Sequence, residues 1–147
     1  MLFPGEAAGV SLRGAVRRFW VSAAPSTDQV PGTYLYPATP PRLDGAVLKP
    51  SINRLLGHGD VRYLCYGHYG WTENPREMLG LAVRQFDLWT AAAPEENENE
   101  AVLRLSGILL RKDPLLAPFA GFTREQQGKE RYFMENSLRG ILRWLGG

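Results

Sequence analysis

The chain has 147 residues, 44% of them hydrophobic and 22% charged, and carries a formal net charge of +2. That length suits one domain around one modest core, and the composition excludes wholesale disorder. No run approaches the roughly 20 apolar residues of a membrane span, and the near-neutral charge argues against the dense basic face of a nucleic-acid binder.

The first 50 residues hold five basic groups (Arg13, Arg17, Arg18, Arg42, Lys49) against three acidic ones (Glu6, Asp28, Asp44). All of the excess positive charge therefore belongs to the N-terminal part. The opening segment is Arg-bearing and poor in acids, as mitochondrial presequences are, and lacks the long apolar stretch of a secretory signal. Spacing predicts a short basic amphipathic helix near 11–22, with Phe19 and Trp20 beside Arg17 and Arg18. Seven of the eleven prolines also fall in residues 1–50, clustered from Val30 to Pro41. Proline fixes φ and removes a backbone donor, so this stretch is expected to be a long extended, polyproline-like arm. Such an arm needs a surface to lie on, either the chain's own body or a partner. Tyr34, Leu35 and Tyr36 would otherwise be exposed.

From about Ser51 to residue 147 the pattern predicts a helical domain. GHGDVRYLCYGHYG, Gly57 to Gly70, is too glycine-rich for a helix, and Val61 to Tyr66 reads as a short extended piece. Asn74, Pro75 and Glu77 have the residue types of a capping box with proline at the first helical position, and Met78, Leu79, Ala82, Val83, Phe86 and Trp89 recur at helical spacing. A helix is predicted over about 75–92. Pro94 stops it, and the acidic run after it favours a new N-terminus, giving a second helix over about 97–112 with Val102, Leu105, Ile108 and Leu109 as its stripe. Asp113 and Pro114 restart the chain in a short helical turn, which Pro118 and Gly121 keep short. Thr123 and Gln126 form another capping box, opening a third helix over about 124–145 whose Phe133, Met134, Leu138, Ile141, Leu142 and Leu145 share a face. The fold class is mainly α: a small bundle of about three main helices behind the extended N-terminal arm.

Candidate chemistry is sparse. One cysteine, Cys65, excludes an internal disulfide and gives no sign of an oxidising compartment. His58, Cys65 and His68 lie within eleven positions, but zinc needs three or four ligands, and Cys65-x-x-His68 supplies one pair. A Cys65 nucleophile with either histidine as base would have no orienting third group or oxyanion hole in view. The glycines nearby have neither the GxGxxG order nor the lysine of a phosphate loop, and PEENENE lacks calcium-loop spacing. The expectation is a protein that is not an enzyme and takes no cofactor or metal. The residues expected to meet a partner are Arg13, Arg17, Arg18, Phe19, Trp20, Tyr34 and Tyr36, basic and aromatic groups of the kind that anchor interfaces.

Three stretches carry a family resemblance: SLRGAVRRFWVSAA (Ser11 to Ala24), ENPREMLGLAVRQF (Glu73 to Phe86), and the run from Glu98 to Leu142 containing Leu103-Arg104-Leu105, Arg124-Glu125-Gln126 and Phe133-Met134-Glu135. Together they cover about half the chain. In this order they resemble the small helical matrix-side subunit of respiratory complex III, the subunit 7 or ubiquinol-cytochrome c reductase binding protein family. Departures are Arg84-Gln85 in place of that family's arginine pair, Phe86-Asp87 after it, and a proline-rich insertion over 25–70. The resemblance implies a non-catalytic accessory subunit of the mitochondrial inner membrane, packed on the matrix side of cytochrome b and touching the membrane only peripherally. The alternatives are a structural protein of another large assembly, such as a mitochondrial ribosome, and a small Cys/His enzyme.

Overall fold

The computed structural model describes residues 10–13, 33–37, 43–66, 71–93 and 98–146. Over these the protein is mainly helical. The elements run β1 (Val10–Arg13), β2 (Thr33–Tyr36), α1 (Gly45–Leu56), β3 (Leu64–Cys65), β4 (Trp71–Thr72), α2 (Pro75–Ala91), α3 (Glu98–Lys112), a 3-10 helix (Pro114–Gly121) and α4 (Arg124–Gly146).

Three helices fall where apolar spacing placed them. In α2 the buried residues Met78, Leu79, Ala82, Gln85, Phe86 and Trp89 follow one stripe, and α3 buries Val102, Leu105 and Leu109 with Ile108 at its margin. The capping box before α4 forms in both directions: Gln126 N donates to Thr123 Oγ1 at 3.3 Å, and Thr123 N donates to Gln126 Oε1 at 2.9 Å. The box expected before α2 does not form. Pro75 opens that helix, but the Asn74 side chain makes no capping bond, and Asn74 N donates instead to Thr72 Oγ1 of β4. On α4 the apolar face is narrower than spacing implied, with Met134, Leu138 and Ile141 buried but Phe133 and Leu145 exposed.

Helix α1 was not anticipated, because Pro50 lies inside it and spacing from Ser51 alone is too short to reveal it. The expected boundary at residue 50 falls within this helix. Asp44 supplies the cap, its Oδ1 accepting from Ala46 N at 2.9 Å, and Ser51 Oγ donates to Val47 O at 2.7 Å. An interior proline costs a helix about 3 kcal/mol. Burial of Ile52 and partial burial of Leu48 and Leu55 against α2 offset that cost. Gly45, in the first turn, is covered by the Trp144 ring of α4. A Cβ there would meet ring carbons at 2.5 Å.

The proline-rich region is described at two places. Val10–Arg13 and Thr33–Tyr36 pair antiparallel, Val10 opposite Tyr36 and Arg13 opposite Thr33. Ser11, Leu12 and Arg13 are therefore strand rather than the start of an amphipathic helix; residues 14–22, where the rest of that helix was expected, lie outside the described residues. β2 runs between two apolar clusters. By strand alternation Tyr34 and Tyr36 join Phe86, Trp89, Leu105, Leu109, Leu116, Met134 and Leu138 on one side, while Leu35 joins Ile52, Leu64, Met78 and Leu79 on the other. α2 passes along both clusters, so β2 and α2 together tie them into one body.

Candidate functional site

The positions that sequence singled out scatter. His58 is exposed in the turn after α1, Cys65 is a half-buried thiol in β3 opposite Trp71, and His68 lies outside the described residues. Among the described residues no three His, Cys, Asp or Glu side chains gather as a metal site. Of the expected partner contacts, Arg13 ends β1, while Arg17, Arg18, Phe19 and Trp20 lie outside the described residues. Tyr34 and Tyr36 are corrected by their burial. At 1% and 3% exposure their rings are spent on the chain's own core. The physical reason is strand alternation, which turns both tyrosines towards the α3–α4 side of the body.

What the fold does assemble is a buried polar cluster under β2, built by β2, α2, the 3-10 helix and α4. Its first centre is Asp113, 3% exposed at the N-cap of the 3-10 helix. One carboxylate oxygen, Oδ2, accepts from Gln85 Nε2 and from Trp89 Nε1, both at 2.7 Å. The other, Oδ1, accepts from Leu115 N at 2.9 Å, capping the short helix. Gln85 Nε2 also donates to the Leu35 carbonyl of β2 at 2.5 Å. Three donors on one buried carboxylate supply what solvent would have supplied. One side chain of α2 thus fastens the strand to the start of the 3-10 helix.

The second centre is Glu130 of α4, 4% exposed. The Tyr36 hydroxyl donates to its carboxyl, yet Oε2 is buried and accepts no hydrogen bond among the described residues. Burial pushes this carboxyl above the usual range, and the charge of neighbouring Lys129 and the Tyr36 bond oppose the shift. Tyr34 feels the charge of both centres. Its ring meets Tyr36 and Phe122 edge-on at centroid separations of 5.7 and 5.0 Å, and its hydroxyl makes no bond among the described residues. Burial first, then the negative fields of Glu130, Tyr36 and Asp113, drive its phenol far upward, so it stays protonated.

Sequence reading missed Gln85, Asp113 and Glu130 as members of a common site. A signal existed for Glu130, which sits four residues before Met134 and eight before Leu138 on the apolar stripe of α4. The apolar residues of α2 likewise place Gln85 on its buried stripe. Nothing local distinguished Asp113 as more than a chain-restarting cap, because its two side-chain donors come from residues 24 and 28 positions away.

The outer surface differs in kind. Tyr132 and Phe133 of α4 are 61% and 40% exposed and touch edge-on at 5.6 Å, with exposed Lys129 and Arg131 close by in sequence. Tyr63 and Trp71 form a similar edge-on contact beside β3 and β4. The chain matches no protein-family model, no curated protein and no solved structure.

Proposed function

We propose that this chain is a non-catalytic accessory subunit of a mitochondrial inner-membrane respiratory complex, held peripherally on the matrix side by protein contacts of the kind that the complex III subunit 7 family makes with cytochrome b. The observation that carries the reading is the exposed Tyr132–Phe133 pair on α4, preceded in sequence by exposed Lys129 and Arg131. Rigid aromatic groups beside basic ones anchor protein interfaces, and leaving two such rings in water is unfavourable. The basic surplus of residues 1–50 supports the same reading, with Arg13, Arg17, Arg18, Phe19 and Trp20 as further contacts. No helix among the described residues is long and apolar enough to cross a membrane, which agrees with a peripheral position.

Affinity purification of the tagged full chain from mitochondria, followed by mass spectrometry of what accompanies it, tests the assignment. Recovery of cytochrome b and its neighbouring subunits is expected, with the yield cut at least tenfold by the double substitution Y132S/F133S. Recovery with ribosomal RNA and ribosomal proteins instead would move the chain to another assembly.

A further inference from the structure

We infer that Glu130 is a proton-operated latch for β2: with its proton the carboxyl holds the strand on α4, and without it the strand loosens and takes β1 with it. The inference stands on packing within this chain and is independent of which assembly the chain joins.

The geometry has three parts. Glu130 is almost wholly buried and faces β2, since the Tyr36 hydroxyl bonds to it and its charge acts on Tyr34. Its Oε2 accepts no bond among the described residues, so ionisation would leave one of the two oxygens that share the negative charge without a described donor. And among the described residues β2 is otherwise attached by neutral groups: backbone pairing to β1, the Gln85 bond to the Leu35 carbonyl, and the packing of Tyr34, Leu35 and Tyr36 into the two apolar clusters.

Among the described residues the charges around Glu130 do not rescue the ionised form. From α4 comes Lys129, an exposed cation on the adjoining residue. From β2 come the phenols of Tyr34 and Tyr36, of which only Tyr36 donates to it. At the start of the 3-10 helix stands Asp113, a second acid. α2 contributes neutral Gln85 to the cluster, and α3 keeps Glu100, Arg104, Arg111 and Lys112 on exposed positions. Desolvation wins over Lys129 and Tyr36, and the carboxyl holds its proton more tightly when folded than when unfolded. The stabilisation is thus complete at pH below the unfolded carboxyl value and is lost as pH rises through the folded one. Because the charge would develop against β2, that strand and its partner are where the loss is felt first.

Two measurements on the full chain test this. A 13C NMR titration of the Glu130 side-chain carboxyl is expected to give a midpoint above the ordinary 4.5. Hydrogen exchange across a pH series, corrected for intrinsic exchange, is expected to show protection in β1 and β2 falling by up to about tenfold per pH unit above that midpoint, one proton's worth. The decline should be absent in E130Q, and α2 and α4 should keep their protection. Y36F, which removes the hydroxyl that favours the ionised form, should move the midpoint and the decline to higher pH, and it supplies the comparison should E130Q not fold. A midpoint at or below 4.5, the same pH response in wild type and E130Q, or a loss of protection spread evenly over the helices would each overturn the latch.

Discussion

Asp113 and Glu130 are two buried acids about as hidden as each other, both acting on the Tyr34 phenol, and the fold treats them differently. Asp113 receives an indole N–H, an amide N–H from Gln85 and a backbone N–H, so both of its oxygens are met. Glu130 receives one phenol, and one of its oxygens is met by nothing among the described residues. The contrast teaches that burial alone does not set the role of a carboxyl; the number of donors aimed at it does. The first acid is a structural rivet joining α2 to the 3-10 helix, and the second is a group whose comfort depends on its proton.

Breaking the rivet has the largest expected effect. Asp113→Ala strands the indole N–H of Trp89 and the amide of Leu115, and at about 1–3 kcal/mol for each stranded donor the loss is roughly 2–6 kcal/mol in urea denaturation. A loss under 1 kcal/mol would mean that water replaces the carboxylate and that the two acids are less different than their partners suggest. Trp89→Phe removes one donor and leaves the acid's other two, so about 1–3 kcal/mol is expected from the same experiment. Tyr36→Phe sharpens the contrast from the other side. It removes the one donor to Glu130 among the described residues, at a cost of about 1 kcal/mol at pH 8 that shrinks towards acid as the carboxyl takes its proton, measured by thermal melts between pH 4 and pH 8.

The smallest effect belongs to a charge pair outside the cluster. Lys49 Nζ meets Asp87 Oδ1 at 2.6 Å across α1 and α2, with both side chains about half exposed to water. Lys49→Ala should cost about 0–1 kcal/mol and less in high salt, because solvent already serves both charges. A larger cost, insensitive to salt, would show that the α1–α2 contact is more dependent on this pair than on Ile52.

Helix positions α2, α3 and α4 were legible in the chain because they rest on local rules: apolar residues every three or four positions, prolines and caps at the ends. Thr123 and Gln126 act as their spacing implied, whereas Pro118 does not stop the 3-10 helix, which runs through it to Gly121. α1 was hidden by Pro50, whose local cost is offset by packing on α2, a contact that lies beyond any local window. The strand at Thr33–Tyr36 was hidden in the same way. A proline-flanked tetrapeptide has no reason of its own to be buried; its partners are a strand over 20 residues upstream and helices up to 100 residues downstream.

What the amino-acid order settled by itself, then, was the helical class, the ends of the long helices and the concentration of positive charge near the beginning, since each depends on neighbours within a turn or two. Only the tertiary structure decided that Tyr34 and Tyr36 point inward, that Asp113 is met by Gln85 and Trp89, and that Glu130 faces a strand with too few donors. Those are meetings between distant segments, and their energies come from desolvation and hydrogen-bond geometry that exist only once the segments have closed on one another.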